Sequence, residues 1–453
     1  MPLRAHLRFL LLAFFLVNGS NLCAAQQAPV PQKSAKAPAT QKSAEADLEF
    51  AVILTRHGVR PPTGKNEQYA PYSAAAWPEW SVEPGYLTAH GYELMKIFGA
   101  WDREHFASEG LLVPTGCDDA AHVTILADSD ERTRESGRAL AEGLMPGCTV
   151  ELQARPEGTN DPLFSYHPAT APAGDSALAA AAISGRIGGN PANLTEAWRP
   201  QLAALDRILA GCGKVPATNS SRTSIFDVPA SLSAGPEGRS AALRGPVQTA
   251  SSLSENLLLE YAEGMTGANL GWGCLDEPAL HEVMQLHAAE EDIAARTWPI
   301  ARLRASNLLD HILRAMEQSA SDQTIAGASG KKGDRLLILS GHDTNISNVA
   351  GALGLDWIVD GRRNDTPPGG ALFFELWHER SSGQRFVRVY YIAQTLDQMR
   401  QTQPLSAANP PAVAPLLIPG CSRADLSCSW EDFQATLRRV IEPAYVSTDS
   451  PAR

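Results

Sequence analysis

The chain has 453 residues, of which 44% are hydrophobic, 19% charged and 7% aromatic. That is the make-up of a globular protein with a large core, and it excludes a fibrous or collagen-like chain. A formal net charge of −12 argues against nucleic acid and anionic membranes as partners, while leaving room for a local basic pocket.

Residues 1–25 read as a secretory signal. Arg4 and Arg8 form a basic start, Phe9 to Val17 an apolar run, and Cys23-Ala24-Ala25 a small-residue cleavage site. The run is too short to span a bilayer. Its removal takes away two positive charges and no acids, so −12 becomes −14. The expected destination is periplasmic or secreted. Six cysteines remain after cleavage: Cys117, Cys148, Cys212, Cys274, Cys421 and Cys428. An even number in an exported chain favours disulfides, and the absence of CxxC or a Cys/His cluster argues against zinc. Residues 26–47, rich in Ala, Pro, Gln, Lys and Ser, read as a disordered linker.

Glu49 to Thr55 is a short β-branched apolar run, the pattern of a buried strand, and it stops at Arg56. His122 to Ala127 is a second such run, ending at Asp128, and Arg335 to Ser340 a third, ending at Gly341-His342. Ala371 to Trp377 and Arg385 to Gln394 are further expected strands. Between the second and third strands the pattern turns helical, over 177–187, 194–211, 250–264, 278–295 and 302–318. This predicts an α/β domain over 48–165 and 305–445, with a smaller inserted α-helical domain over 166–304.

Ligands of open α/β sheets bind at the carboxyl ends of strands. Here three strand ends are polar: Arg56-His57-Gly58-Val59-Arg60, Asp128-Ser129-Asp130-Glu131-Arg132 and Gly341-His342-Asp343. The set suits a phosphate group. Arginine presents a planar donor fork to phosphate oxygens, a neutral imidazole can attack phosphorus, and a carboxylic acid can protonate the departing alkoxide. Each element alone has a blander reading, as a structural histidine, a solvated helix start or a helix cap. Their agreement carries the weight.

Arg56 to Thr63 also matches RHGxRxP, the signature of the histidine acid phosphatases, and His342-Asp343-Thr344-Asn345 matches their distant HD motif. The chain resembles that family from about Glu49 to Cys428. The stretches 76–80, 128–134 and 364–370 are similar to its bacterial periplasmic phytase and acid phosphatase branch. The resemblance implies a phosphoglycerate-mutase-like large domain, with a central mixed sheet flanked by helices. It also implies a monomer that hydrolyses small phosphate monoesters, phytate among them, without metal or cofactor. His57 would be the nucleophile and Asp343 the proton donor. Arg56, Arg60, Arg132 and His342 would hold the phosphate oxygens, and Thr63, Asp128 and Glu255 would border the substrate. Two family disulfides correspond to Cys117–Cys148 and Cys421–Cys428. Cys212 lacks the partner the family places near it, which leaves Cys274.

Two positions depart from the family's phytases: Gly64 stands where a lysine is common, and Ser252 where a methionine is expected. Sugar-phosphate (glucose-1-phosphate) phosphatases of the family favour Asn in place of Gly58 and Ser in place of Thr344, and on both positions this chain sides with the phytases. Two decoys fall away on spacing. Asp128-x-Asp130 resembles an Mg²⁺-dependent aspartyl-phosphate motif, but Arg132 stands where Thr or Val belongs. His287 falls two residues too late after His281-Glu282 for HExxH.

Overall fold

A computed structural model describes residues 45–166, 175–235 and 240–447. The expected signal and most of the expected linker lie outside these residues. In chain order the elements are β1 (Ala46–Arg56), α1 (Asn66–Tyr69), α2 (Ala89–Ser108), β2 (Val123–Ala127), α3 (Glu131–Leu144), β3 (Glu151–Ala154) and α4 (Pro162–Ser165). The helical region follows with α5 (Asp175–Arg186), α6 (Ala192–Ala197), α7 (Arg199–Leu209), the hairpin β4 (Ser231–Ala234) and β5 (Ala241–Arg244), then α8 (Pro246–Ala262), α9 (Glu277–Ala294) and α10 (Trp298–Ser321). The chain then returns through β6 (Leu336–Gly341), α11 (Asp343–Leu353), β7 (Ile358–Val359), β8 (Arg362–Arg363), β9 (Ala371–Glu379) and β10 (Arg385–Ala393). It closes with α12 (Leu396–Arg400), β11 (Ala412–Pro415), β12 (Cys428–Ser429) and α13 (Trp430–Val440).

The main sheet has the order β11-β10-β9-β1-β6-β2-β3, with β12 also pairing β10. It is mixed: β1, β6, β2 and β3 run parallel, while β9 and β10 are antiparallel to their neighbours. Both faces are covered, and the strand side chains alternate between them. Phe50, Val52, Leu54, Leu337 and Leu339 pack on the face that holds α10, α11 and α13, whereas Ala51, Ile53, Leu336 and Ile338 pack toward α2 and α3. A third core joins α7, α8 and α9, and it takes in Val59 and Leu94 from beside the His57 segment.

All five expected strands are present, within a few residues of their expected ends. β3 and β12 had no apolar run to betray them, and that of β11 is only Ala412-Val413-Ala414, closed by Pro415. They are short outer strands that need only one buried face. The helix expected over 194–211 is two helices, because Pro200 suits the first turn of a new helix and not the interior of one. The three expected cysteine pairs all form, with Cα separations of 5.4 Å for Cys117–Cys148, 6.1 Å for Cys212–Cys274 and 5.3 Å for Cys421–Cys428.

Candidate active site

The register of the parallel strands builds the site. Arg56 at the end of β1 lies opposite Gly341 of β6, and Ser340 opposite Ala127 of β2. The next residues, His57, His342 and Asp128, therefore emerge side by side. Backbone bonds fix the alignment: His57 N donates to Gly341 O at 3.0 Å, and Asp128 N to Ser340 O at 3.0 Å.

His57 is 1% exposed. Its Nδ1 lies 2.8 Å from the carbonyl oxygen of Gly58. A carbonyl only accepts, so Nδ1 carries the proton and Nε2 keeps its lone pair. Burial, reinforced by Arg60, Arg56, Arg132 and His342, holds its pKa well below the ordinary imidazole value. The nucleophile candidate is thus neutral, oriented and surrounded by cations.

The loop after it is held by close packing. A β-carbon on Gly58 would meet Gly91 O and Met95 Cγ at 2.8 Å, and one on Gly91 would meet Val59 O at 2.2 Å. Thr88 caps α2, its hydroxyl accepting from Gly91 N at 2.9 Å. On the other side the segment 364–370 acts as a buttress, with Gly369 N donating to His57 O at 3.1 Å and Arg56 Nη1 to Thr366 O at 2.6 Å.

Arg56 is fully buried and binds two carboxylates, Glu255 from α8 and Asp343 at 3.0 Å from the start of α11. Arg60 lies 3.5 Å from the same Glu255 oxygen. Arg132 pairs with Asp130 at 2.5 Å, and His342 Nε2 donates to Asp128 Oδ2 at 2.9 Å. The His57 and His342 rings meet edge to face with centroids 5.6 Å apart. Thr63 is exposed at the rim, and it flanks Gly85 together with Arg132. Every expected site residue is therefore in one neighbourhood. Three donors in it are unspent: Nε of Arg56, Arg60 and Arg132 is buried with no hydrogen-bond partner among the described residues.

Asp343 feels opposing influences. Burial raises its pKa, but Arg56, His287, Arg60 and His342 outweigh it and hold the carboxyl far below the usual range. Glu255 is likewise lowered: Arg56 and Arg60 overcome its burial. Asp128, Asp130 and His342 bring three potential metal-ligand atoms within 4.8 Å of one another. Those atoms are already used, however, in the His342–Asp128 bond and the Arg132–Asp130 pair.

Sequence reasoning missed His287, Glu290 and Glu291 of α9, which act electrostatically on Asp343 and Glu255 or are acted on by them. A signal was there. The buried stripe of α9 runs Leu280, Val283, Met284 and then continues, at the same helical spacing, through His287 and Glu291. Polar residues on an apolar stripe call for an explanation that failure to match HExxH does not supply.

Comparison with known proteins agrees with this geometry. The model of the histidine phosphatase superfamily, branch 2, matches residues 47–206 and 261–392. Over 430 residues the chain is 34% identical to phytase AppA of Escherichia coli strain K12, covering 92% of this chain and 98% of that one. It is 27% identical over 431 residues to the glucose-1-phosphatase of Providencia rettgeri, covering 93% and 98%. Among solved structures, Hafnia alvei phytase in complex with tartrate matches with a TM-score of 0.81 at 32% identity, covering 89% of this chain and 99% of that one. Citrobacter braakii phytase matches with a TM-score of 0.76 at 32% identity, covering 89% and 100%. A neutral histidine ringed by arginines at the end of a parallel strand is what such a family requires, and this chain belongs to branch 2 of the histidine phosphatase superfamily, as a phosphoric monoester hydrolase.

Proposed function

We propose that the protein is an exported, monomeric acid phosphatase with phytase activity, working through a phosphohistidine at His57. Its working parts would be the α/β portion over 48–165 and 305–445 and the helical insertion over 166–304, with the phosphate ester bound between them. The observation that carries the reading is the combination at the strand ends: a neutral imidazole whose Nε2 keeps its lone pair, and three buried guanidinium Nε–H groups without partners among the described residues.

The chemistry follows from those groups. Arg56, Arg60, Arg132 and His342 hold the phosphoryl oxygens and spread the charge of the five-coordinate transition state. The Nε2 lone pair of His57 forms the N–P bond as the bond to the ester oxygen breaks, and the Asp343 carboxyl gives its proton to the departing alkoxide. A water then attacks phosphorus and passes a proton to Asp343, and the N–P pair returns to Nε2. Asp343 must be protonated for the first step, although Arg56 and its neighbours favour the ionised form in the free protein. A bound phosphate dianion offsets the charge of Arg56 and Arg60, and so weakens the influences that depress its pKa. Asp128 serves by orienting His342, and Thr63 and Glu255 by bordering the substrate.

Phytate enters because three of the proteins compared above are phytases and because Gly58 and Thr344 follow the phytase pattern. Release of phosphate from p-nitrophenyl phosphate and from inositol hexakisphosphate at pH 3–7 tests it. His57→Ala should abolish both, and an acid-labile, base-stable phosphoenzyme should be trapped in the parent. Turnover that survives His57→Ala would refute the nucleophile.

A second reading, a phosphatase of broad specificity, is favoured by the entrance beside the loop. A β-carbon on Gly64 would meet Gln68 Oε1 at 2.2 Å and the Tyr69 hydroxyl at 2.5 Å, so a lysine there would require both side chains to swing aside. The adjoining cleft, about 490 Å³ in volume, sets Glu67, Glu79 and Glu83 against Lys65. Such a lining favours small esters over a hexaphosphate.

A further inference from the structure

The turn Gly271-Trp272-Gly273, between α8 and α9, holds three successive residues at positive φ, +49°, +57° and +77°. Glycine adopts that region freely, but a bulky residue there is an outlier. Trp272 is 4% exposed, and the turn around it is tied down on several sides. Gly271 N donates to the buried Glu260 Oε2 at 2.9 Å, Lys214 Nζ donates to Gly273 O at 2.7 Å, and Cys274 is joined to Cys212. A strained conformation held this firmly calls for a use.

The indole reaches the segment beside the catalytic loop. Trp272 Nε1 donates to Ala76 O at 2.9 Å, and its ring meets Trp77 edge to face with centroids 4.8 Å apart. Trp77 meets Tyr69 edge to face at 5.9 Å, and the Tyr69 hydroxyl accepts from Gly64 N at 3.1 Å. Asn66 Nδ2 donates to Pro78 O at 3.2 Å. Contacts thus run unbroken from the helical insertion to the residue after Thr63. They join the two stretches that line the cleft of about 490 Å³, which are 61–62 with 64–67, and 79–84. Each stretch adjoins an arginine of the phosphate site: Arg60 Nη1 donates to Pro61 O at 3.0 Å, and Arg132 Nη1 to Gly85 O at 3.5 Å. Half-buried Trp80 gives the lining a flat apolar surface.

We propose that Trp272 is a specificity-determining positioning residue: from the helical insertion it fixes the spacing of the two cleft walls, and so sets how well a large, flat alcohol part is held against Trp80. The ester class it selects is the aryl phosphate whose ring system extends past the phosphate site. The phosphate site has its own supports, in the packing at Gly91 and in the segment 364–370, and does not depend on the indole. This deepens the phosphomonoesterase reading above and rests on it.

The test uses W272F, which keeps an aromatic ring and loses the Nε1 donor, and Y69F, which removes one hydroxyl at the far end of the same contacts. The readouts are kcat and KM for naphthyl phosphate, and the inhibition constant of inorganic phosphate, which fills the phosphate site alone. W272F should raise KM about three- to tenfold, with kcat and the phosphate constant within about twofold of the parent. Y69F, the milder change, should show the same pattern and reports on the proposal even if W272F does not fold. W80A removes the surface that Trp272 places, so W80A/W272F should match W80A alone in KM. An unchanged KM, an equal weakening of inorganic phosphate, a fall in kcat, or losses that multiply in the double variant would overturn the proposal. Failure of the parent to release phosphate from naphthyl phosphate would sink the phosphatase reading instead.

Discussion

Arg56 Nη2 lies 3.0 Å from Asp343 Oδ2, so the buried cation at the end of β1 and the carboxylate opening α11 neutralise each other. Phosphate can take the guanidinium only by competing with that carboxylate. Asp343 is ionised in the free protein, and its pKa rises once phosphate shields Arg56. Binding of inorganic phosphate at pH 5 should therefore take up protons beyond those explained by phosphate itself. Calorimetry in buffers of differing ionisation enthalpy measures this uptake, and Asp343→Asn should remove it.

The same residue sets the dependence on leaving group. Asp343→Asn should lower kcat for alkyl phosphates by about 10²–10⁴-fold. Esters whose alcohol leaves without a proton, such as p-nitrophenyl phosphate, should lose much less. Equal losses across a series of leaving-group pKa values would remove Asp343 from the donor role.

His57 predicts the shape of the acid limb. Its pKa is depressed, so the neutral nucleophile persists well below the ordinary histidine value of about 6.5. The kcat/KM profile should show no loss centred near pH 6.5 as acid is added. The sign for stability is the same as that of a paired carboxylate, whose folded pKa is likewise depressed. Below the unfolded pKa the unfolded state binds a proton that folded His57 refuses, so its contribution turns destabilising as pH falls.

Gly91 gives a packing test remote from the chemistry. A methyl group there would sit 2.2 Å from Val59 O, backbone that cannot swing aside. Gly91→Ala should cost roughly 1–3 kcal/mol of stability. It should also lower kcat, because the loop that aims His57 must shift. A chemical-denaturation midpoint and a p-nitrophenyl phosphate assay on one preparation would report both effects.

Much of this was legible in sequence for a physical reason. The strands β1, β2 and β6 are buried on both faces and so appear as uninterrupted apolar runs, and the polar residues that end them stand out. What stayed hidden falls into two kinds. β3 is polar and half-exposed at the edge of the sheet, so nothing in its four residues distinguishes it from a loop. Glu290, Glu291 and His287 sit within a helix whose pattern is otherwise ordinary. Their importance comes from α11, which is distant in sequence and brings Asp343 against them. Asp130 was placed in a polar strand-end segment, but its bridging between Arg132 and His342 depends on rotamers that no spacing rule fixes.

The sheet order has a consequence for how the protein is made. β1 and β2 are not hydrogen-bonded to each other; each pairs with β6, which is synthesised some two hundred residues after β2. A ribosome that has finished β3 has therefore released strands whose shared partner does not yet exist, and their open edges invite pairing with other chains. The central slot closes only when β6 arrives, and the same event carries in His342 and Asp343. Activity should then appear late and abruptly in a synthesis time course, and any chain cut short before α11 should be both inert and prone to aggregate.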